Sequence, residues 1–248
     1  MPDLDSAFFL ALAIVFFAAA VSGLAGFGFS IVSVPMLLFI YGPPTVITLN
    51  KVLTLGSTWV NLLDTWRCIS WRRLARLMPF AVAGLFGGIA ILEAVDEEAI
   101  KLAVGVMVIS FALLLLSGRI RHVRERPWMA PVTGLASGVS STSTGMSGPP
   151  LVLFFTVIGL EVKVFRATSI MYFLALDAVG LTVLVRQGIV SRDDLVLSLL
   201  LAPAALAGRR AGAWLVPHVS PERFRRLALG LLLLTGTVAI ASVIGTMG

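Results

Sequence analysis

The sequence predicts an all-α, polytopic membrane protein made of two inverted repeats of about five helical segments each. Of its 248 residues, 58% are hydrophobic and only 13% are charged, whereas soluble domains carry about 25% charged residues. A bilayer solvates apolar side chains directly, so a membrane protein can expose many apolar side chains to lipid, whereas a soluble protein cannot expose them to water. Two further observations, the placement of the basic residues and the likeness between the two halves, complete the prediction.

Ten apolar runs are candidates for helical membrane segments. They cover 7–24, 27–41, 45–64, 75–92, 98–117, 128–144, 149–160, 164–185, 195–216 and 226–246. Where two runs share 7–41 and two share 128–160, each has only about 15–18 residues, or about 22–27 Å of helix. We expect short spans or re-entrant hairpins at these two places, with broken or short helices near the midplane.

The basic residues predict the orientation of the chain. If the runs alternate from an outside N-terminus, fifteen of the nineteen basic residues fall on one side of the membrane. By the positive-inside rule that side is cytosolic, so both termini are predicted outside an inner, or cytoplasmic, membrane. These fifteen residues are Arg67, Arg72, Arg73, Arg76, Arg119, Arg121, Arg124, Arg126, Lys163, Arg166, Arg209, Arg210, Arg223, Arg225 and Arg226.

The two halves of the chain are similar to each other. The small-residue segment 23–26 is echoed by 134–138, and each is followed by a proline and a short apolar stretch. Because each half holds an odd number of runs, the second half enters the membrane upside down, as in many secondary transporters. We therefore predict a first repeat at 1–120 and a second at 121–248, within one integral membrane domain.

The breaks at 22–30 and 137–150 are the first candidate site. Glycine and proline disfavour a continuous helix there, and interrupted segments in matching halves indicate a transporter's binding site. The N-termini of half-helices expose N–H groups that bind anions. The alternative is that small residues only permit close helix packing. The candidate substrate-binding residues of the two breaks are Gly26, Phe27, Gly28, Ser30, Ser140, Ser141, Thr142, Ser143, Thr144 and Gly145.

A lysine inside the third run is the second candidate. Lys51 follows Asn50 about six residues into this run, and an intramembrane charge indicates function by default. The alternative is a lysine that snorkels to the outer interface. Arg166 opens the corresponding helix of the second half, and Thr168 and Ser169 lie near the position that matches Asn50 and Lys51. We count all five as candidate substrate-binding residues.

Asp177 lies in the middle of the eighth run. Intramembrane carboxylates often relay protons, so Asp177 is a candidate for proton coupling, with a structural ion pair or hydrogen bond as the equal alternative.

No enzyme, cofactor or metal site is predicted. His122 and His218 lie in loops, so no membrane-embedded histidine can activate a serine, and neither an H-E-x-x-H motif nor a P-loop is present. The single cysteine, Cys68, excludes an intrachain disulfide. The net charge of +6 comes from short basic tracts between apolar runs, so we predict no nucleic-acid partner.

These segments together resemble the sulfite exporter TauE/SafE family, also described as the 4-toluene sulfonate uptake permease superfamily. The likeness covers nearly the whole chain. It is carried by 23–30 leading into Pro35, by 42–44, by 48–51, by 134–150 and by 165–169. The resemblance implies secondary transport of small sulfur-containing or organic anions, such as sulfite, sulfonates and sulfoacetate.

The leading hypothesis is therefore a permease or exporter of small anions that works by alternating access, with possible coupling to protons. An anion channel is one alternative. A membrane assembly factor without a substrate is another, and it would need neither polar breaks nor Lys51. The sequence leaves the exact substrate, the direction of transport and the oligomeric state open.

Overall fold

The structure, a computed structural model, describes residues 6–116 and 122–215. Within these ranges the chain forms nine α-helices and no strand, which confirms the predicted all-α fold. A 3-10 turn at Trp66–Cys68 follows the third helix. The helices are α1 (Ser6–Ala25), α2 (Phe29–Leu37), α3 (Pro43–Thr65), α4 (Trp71–Ala94), α5 (Glu97–Leu116), α6 (Met129–Ser143), α7 (Gly148–Val157), α8 (Val162–Arg186) and α9 (Arg192–Leu215).

Nine of the ten apolar runs thus become helices, and the tenth, 226–246, lies outside the described residues. Four helices, α1, α4, α8 and α9, are long and apolar enough to cross a membrane. By contrast, α2 has 9 residues and α7 has 10. These lengths correspond to about 14 and 15 Å, or half of a hydrocarbon core of about 30 Å. The second segment of each crowded pair is therefore a half-length helix.

Two helix pairs, α1 with α9 and α4 with α6, make the most intimate contacts. A Cβ atom on Gly138 of α6 would overlap the carbonyl of Ala81 in α4, and one on Gly212 of α9 would overlap the carbonyl of Ala20 in α1. Gly23 approaches the backbone of α9 in the same way. Close packing, the alternative considered for the small residues, is therefore the role of Gly23 and Gly138.

The buried apolar side chains form two main cores. The first joins α1, α2, α3, α5 and α9 with Val152 of α7, and the second joins α4, α6, α7 and α8. The long helices α3 and α8 contact each other. The polar groups described below lie along this contact, so the two cores hold the candidate site between them.

Candidate functional site

Both predicted breaks are present. Residues 26–28 separate α1 from α2, and residues 144–147 separate α6 from α7. Gly26 and Gly28 have φ angles of 81° and 98°, and Gly145 has 76°. Glycine adopts this left-handed region without the steric cost that a Cβ atom brings. These three glycines therefore let the chain leave one helix and start the next inside the fold.

The two breaks border the same small cavity, which has a volume of about 30 Å³. This is room for about two water molecules, a scale that suits a small ion better than a large organic ligand. The cavity is lined by Ser22, Gly26, Phe27, Gly28, Phe29, Ser30, Asn50, Thr54, Thr58, Gly145, Ser147, Ile170, Phe173, Asp177 and Arg209.

The candidate residues divide into two groups around this cavity. Those that line it are Gly26, Phe27, Gly28, Ser30, Asn50, Gly145 and Asp177. Those outside its lining are Lys51, Ser140, Ser141, Thr142, Ser143, Thr144, Arg166, Thr168 and Ser169.

Most hydroxyl groups between residues 140 and 144, at the end of α6, form hydrogen bonds to helix backbone. Thr142 Oγ1 donates to the carbonyl of Leu85 at 2.7 Å, which fastens α6 to α4. The hydroxyls of Ser140, Ser143 and Thr144 donate to carbonyls one turn earlier in their own segment. Serine and threonine often bond to backbone in this way in helices.

Lys51 is buried in the contact between α3 and α8. Its side chain is 2% exposed, which excludes the snorkelling alternative within this fold. Its Nζ donates to Ser141 Oγ at 2.8 Å and lies 3.3 Å from Asp177 Oδ1. A Cβ atom on Gly180 would lie 2.8 Å from this Nζ, so the glycine leaves room for the ammonium group. The charge of Lys51 is thus already compensated inside the protein.

Of the three candidates on α8, Arg166 and Thr168 form hydrogen bonds to neighbouring segments and Ser169 does not. Arg166 Nη2 donates to the carbonyl of Gly23 at 3.3 Å, near the end of α1. Thr168 Oγ1 accepts from the backbone N–H of Ser70 at 3.0 Å. Ser169 is fully buried, and its hydroxyl has no partner among the described residues.

Arg209 was not among the residues predicted to form the site. It was counted only among the fifteen basic residues expected on one side of the membrane, and it lies inside α9 and is 2% exposed. Its Nε donates to Ser57 Oγ at 3.0 Å. Its Nη2 is buried without a hydrogen-bond partner among the described residues, and the residue lines the cavity.

On the polar face of α3, Asn50 was predicted, but Thr54 and Thr58 were missed. Asn50, Thr54 and Thr58 are spaced by four residues and all line the cavity, because positions four apart share a face of a helix. Thr58 is 2% exposed, and its hydroxyl has no partner in the described part of the chain. Polar residues four apart in an apolar run were the signal that would have found this face.

The formal charges of the site favour an anion. Asp177 and Arg209 line the cavity, and Lys51 is paired with Asp177. Among the described residues, Lys51 and Arg209 thus lie near one carboxylate, that of Asp177. A buried charge is costly unless it is paired, so the remaining positive charge calls for an anionic partner.

The two half-helices differ in what their backbones offer. The N-cap of α2 is Gly28, whose left-handed conformation precedes the free N–H groups of the first helical turn. In α7 the first turn contains Pro149 and Pro150, and proline has no N–H group. Hence α2 is the better donor of backbone hydrogen bonds to an anion.

Broken helices that meet at an interior polar cavity, in a chain with several membrane-spanning helices, define the architecture of a membrane transporter. The chain belongs to the sulfite exporter TauE/SafE family, whose family model matches residues 11–239. This confirms the resemblance noted from the sequence.

Two curated relatives agree with this assignment. A probable sulfite/organosulfonate exporter TauE from Cupriavidus necator is 24% identical over 196 residues, which are 76% of this chain and 75% of that protein. A probable membrane transporter protein from Xylella fastidiosa is 29% identical over 153 residues, which are 54% of this chain and 58% of that protein. No solved structure matches the chain significantly.

Proposed function

We propose that the chain is a secondary transporter of small sulfur oxyanions, sulfite or organosulfonates, and that the cavity between the two breaks is its binding site. One observation carries the proposal: both breaks border a cavity whose neighbouring formal charges sum to a positive value. The Cupriavidus relative, named as a probable sulfite/organosulfonate exporter, supports the substrate class.

The packing supports alternating access by two inverted repeats, 1–120 and 121–248. Exchange of the halves would convert the pair α1 with α9 into the pair α6 with α4, and both pairs are the closest in the structure. Gly84 and Gly88 of α4 approach α6, as Gly208 and Gly212 of α9 approach α1. Rocking of one such pair against the other would open the cavity to each side in turn.

Within this proposal the anion binds to the start of α2 and to the second break around Gly145. Asn50 stands beside it, held by hydrogen bonds to Ser33 at 2.9 Å and to the Val46 carbonyl at 3.0 Å. Lys51 acts by compensating Asp177, and Asp177 is the group that would exchange a proton during transport. In the inner membrane, with both termini outside, the basic loops face the cytosol.

The test is flux in proteoliposomes made with the purified protein. Sulfite, thiosulfate, sulfoacetate, taurine and small carboxylates are each supplied with and without a pH gradient, and protein-free vesicles are the control. We expect saturable uptake and counterflow for at least one sulfur oxyanion, and a response to the pH gradient. Flux without saturation or counterflow would indicate a channel. No flux of any of these anions would overturn the proposal and favour an assembly factor.

A further inference from the structure

We infer that Arg209 and Thr58 bind the anion directly, and that Ser57 positions the guanidinium group of Arg209. The inference rests on the proposed function and identifies the side chains that recognise its substrate. The sequence predicted Lys51 instead, but its ammonium group is already hydrogen-bonded to Ser141 and paired with Asp177.

Arg209 has an unused donor inside the protein. The residue is 2% exposed, lines the cavity, and keeps Nη2 without a partner among the described residues. Among the side chains that the structure describes, no carboxylate forms a salt bridge with it. A buried charged donor without a partner is strongly unfavourable. An anion in the cavity would remove this penalty.

The guanidinium group is held in a defined orientation. Ser57 Oγ accepts a hydrogen bond from Arg209 Nε at 3.0 Å and donates its own hydrogen to the Leu53 carbonyl at 2.6 Å. The serine hydroxyl is thereby fixed by α3, and it fixes one edge of the guanidinium plane. A donor that is oriented before binding loses less side-chain entropy when the ligand arrives.

Thr58, the residue after Ser57, supplies a second donor. Its hydroxyl is buried and has no partner in the described part of the chain, and the residue lines the same cavity as Arg209. Both unsatisfied groups can donate to an acceptor, and both are brought to one cavity from different helices, α3 and α9. One small ligand with several acceptor oxygens would satisfy them together.

The chemistry of the pair favours an oxyanion over a halide. A planar guanidinium group binds two oxygens of one anion in parallel, which a compact ammonium group cannot do. Sulfite and sulfonates present such oxygens, whereas chloride is a single spherical acceptor. The pair should therefore determine the selectivity for oxyanions as well as the affinity.

The experiment measures binding of sulfite and of chloride to the full chain in lipid nanodiscs, by thermal stabilisation and by direct titration. Arg209→Lys keeps the positive charge but loses the planar guanidinium group, and Arg209→Gln loses both. Thr58→Val removes one hydroxyl group and keeps a side chain of similar size. Arg210→Lys is the matched control, because Arg210 is the exposed neighbour of Arg209 on α9.

We expect the Kd for sulfite to rise at least about 30-fold in Arg209→Gln, as for loss of one partner of a buried charged hydrogen bond. In Thr58→Val it should rise about 2–12-fold, as for loss of one neutral hydrogen bond. Arg209→Lys should weaken sulfite binding more than chloride binding, and Arg210→Lys should change neither.

The outcomes separate this inference from the proposed function. Absence of sulfite binding by the unaltered protein would overturn both. Sulfite binding by the unaltered protein, with an unchanged Kd in Arg209→Lys and Thr58→Val, would overturn the inference alone. An equal loss of sulfite and chloride binding in Arg209→Lys would contradict the recognition of oxyanions. If Arg209→Gln does not fold, the charge-conserving and isosteric variants decide the result.

Discussion

Lys51 Nζ lies 3.3 Å from Asp177 Oδ1, and this buried ion pair joins α3 to α8. The two helices belong to different halves of the chain, and Asp177 also lines the cavity between the breaks. Removal of one partner from a buried pair leaves an uncompensated charge inside the protein. Any relative movement of α3 and α8 must therefore preserve this pair or replace it.

We expect Lys51→Ala to abolish sulfite transport and to destabilise the folded protein by about 3–5 kcal/mol, because Asp177 is left buried without its cation. The double variant Lys51→Ala/Asp177→Asn should recover much of the stability but not the transport. Lys51→Arg should keep more transport activity than Lys51→Ala but less than the unaltered protein, since a planar guanidinium group does not replace a compact ammonium group. Thermal unfolding and proteoliposome flux measure the two effects.

The control for this prediction is Lys101→Ala. Lys101 pairs with Glu97 at 2.8 Å across one helical turn, but both side chains are substantially exposed. Exposed pairs of this kind contribute about 0.3–0.5 kcal/mol, so stability and flux should hardly change. Normal transport by Lys51→Ala would remove Lys51 from the mechanism.

The contact between α4 and α6 predicts opposite effects at neighbouring glycines. In Gly88→Ala the new Cβ would overlap Thr142 Oγ1 and the Val139 carbonyl, whereas in Gly87→Ala it would meet Val139 Cγ2 at an ordinary 3.5 Å. We expect Gly88→Ala to lower stability by about 1–3 kcal/mol through overpacking. Gly87→Ala should be neutral or stabilising by up to about 1 kcal/mol, because alanine favours the helix. Equal melting temperatures would contradict this close packing.

The first break allows a test of backbone strain at the cavity. Gly28 and Gly188 have φ angles of 98° and 72°, and a Cβ atom would find space at both. Alanine at either position costs about 1–2 kcal/mol through its left-handed conformation. Only Gly28→Ala should also weaken sulfite binding, because Gly28 caps α2 and lines the cavity. A similar change in Kd for Gly188→Ala would show that the effect is global.

The orientation of the chain is a further prediction. In a variant with Cys68 replaced by serine, a new cysteine at Asp3 should react with a membrane-impermeant maleimide from outside intact cells. A new cysteine at Arg124 should react only after the membrane is permeabilised, because the basic loops are expected in the cytosol. Reaction at Arg124 from outside would contradict both the orientation and the inverted repeats.

The sequence predicted the helices well because apolar runs and glycine-rich breaks are local features, as in 22–30 around Gly26 and Gly28. It could not predict which charges lack partners, since that depends on contacts between distant segments. Lys51 looked unpaired in its run, yet Asp177 lies beside it. Arg209 was noted only as one of fifteen basic residues expected on one side of the membrane, yet it is buried and lines the cavity.

Asp177→Asn should separate proton coupling from anion exchange. Asp177 is the one carboxylate among the residues that line the described cavity. It forms an ion pair with Lys51, and Arg209 lines the same cavity. If its protonation accompanies transport, the neutral amide should still allow sulfite counterflow but lose accumulation driven by a pH gradient. Flux with and without the gradient measures the two activities in the same vesicles.

The matched control is Asp194→Asn. Asp194 is also buried, but its Oδ2 accepts from the Ser191 N–H at 3.1 Å at the start of α9, away from the cavity lining. An asparagine oxygen can accept the same hydrogen bond, so this variant should keep its response to the pH gradient. Gradient-driven accumulation that persists in Asp177→Asn would return Asp177 to a structural role, as the partner that compensates Lys51.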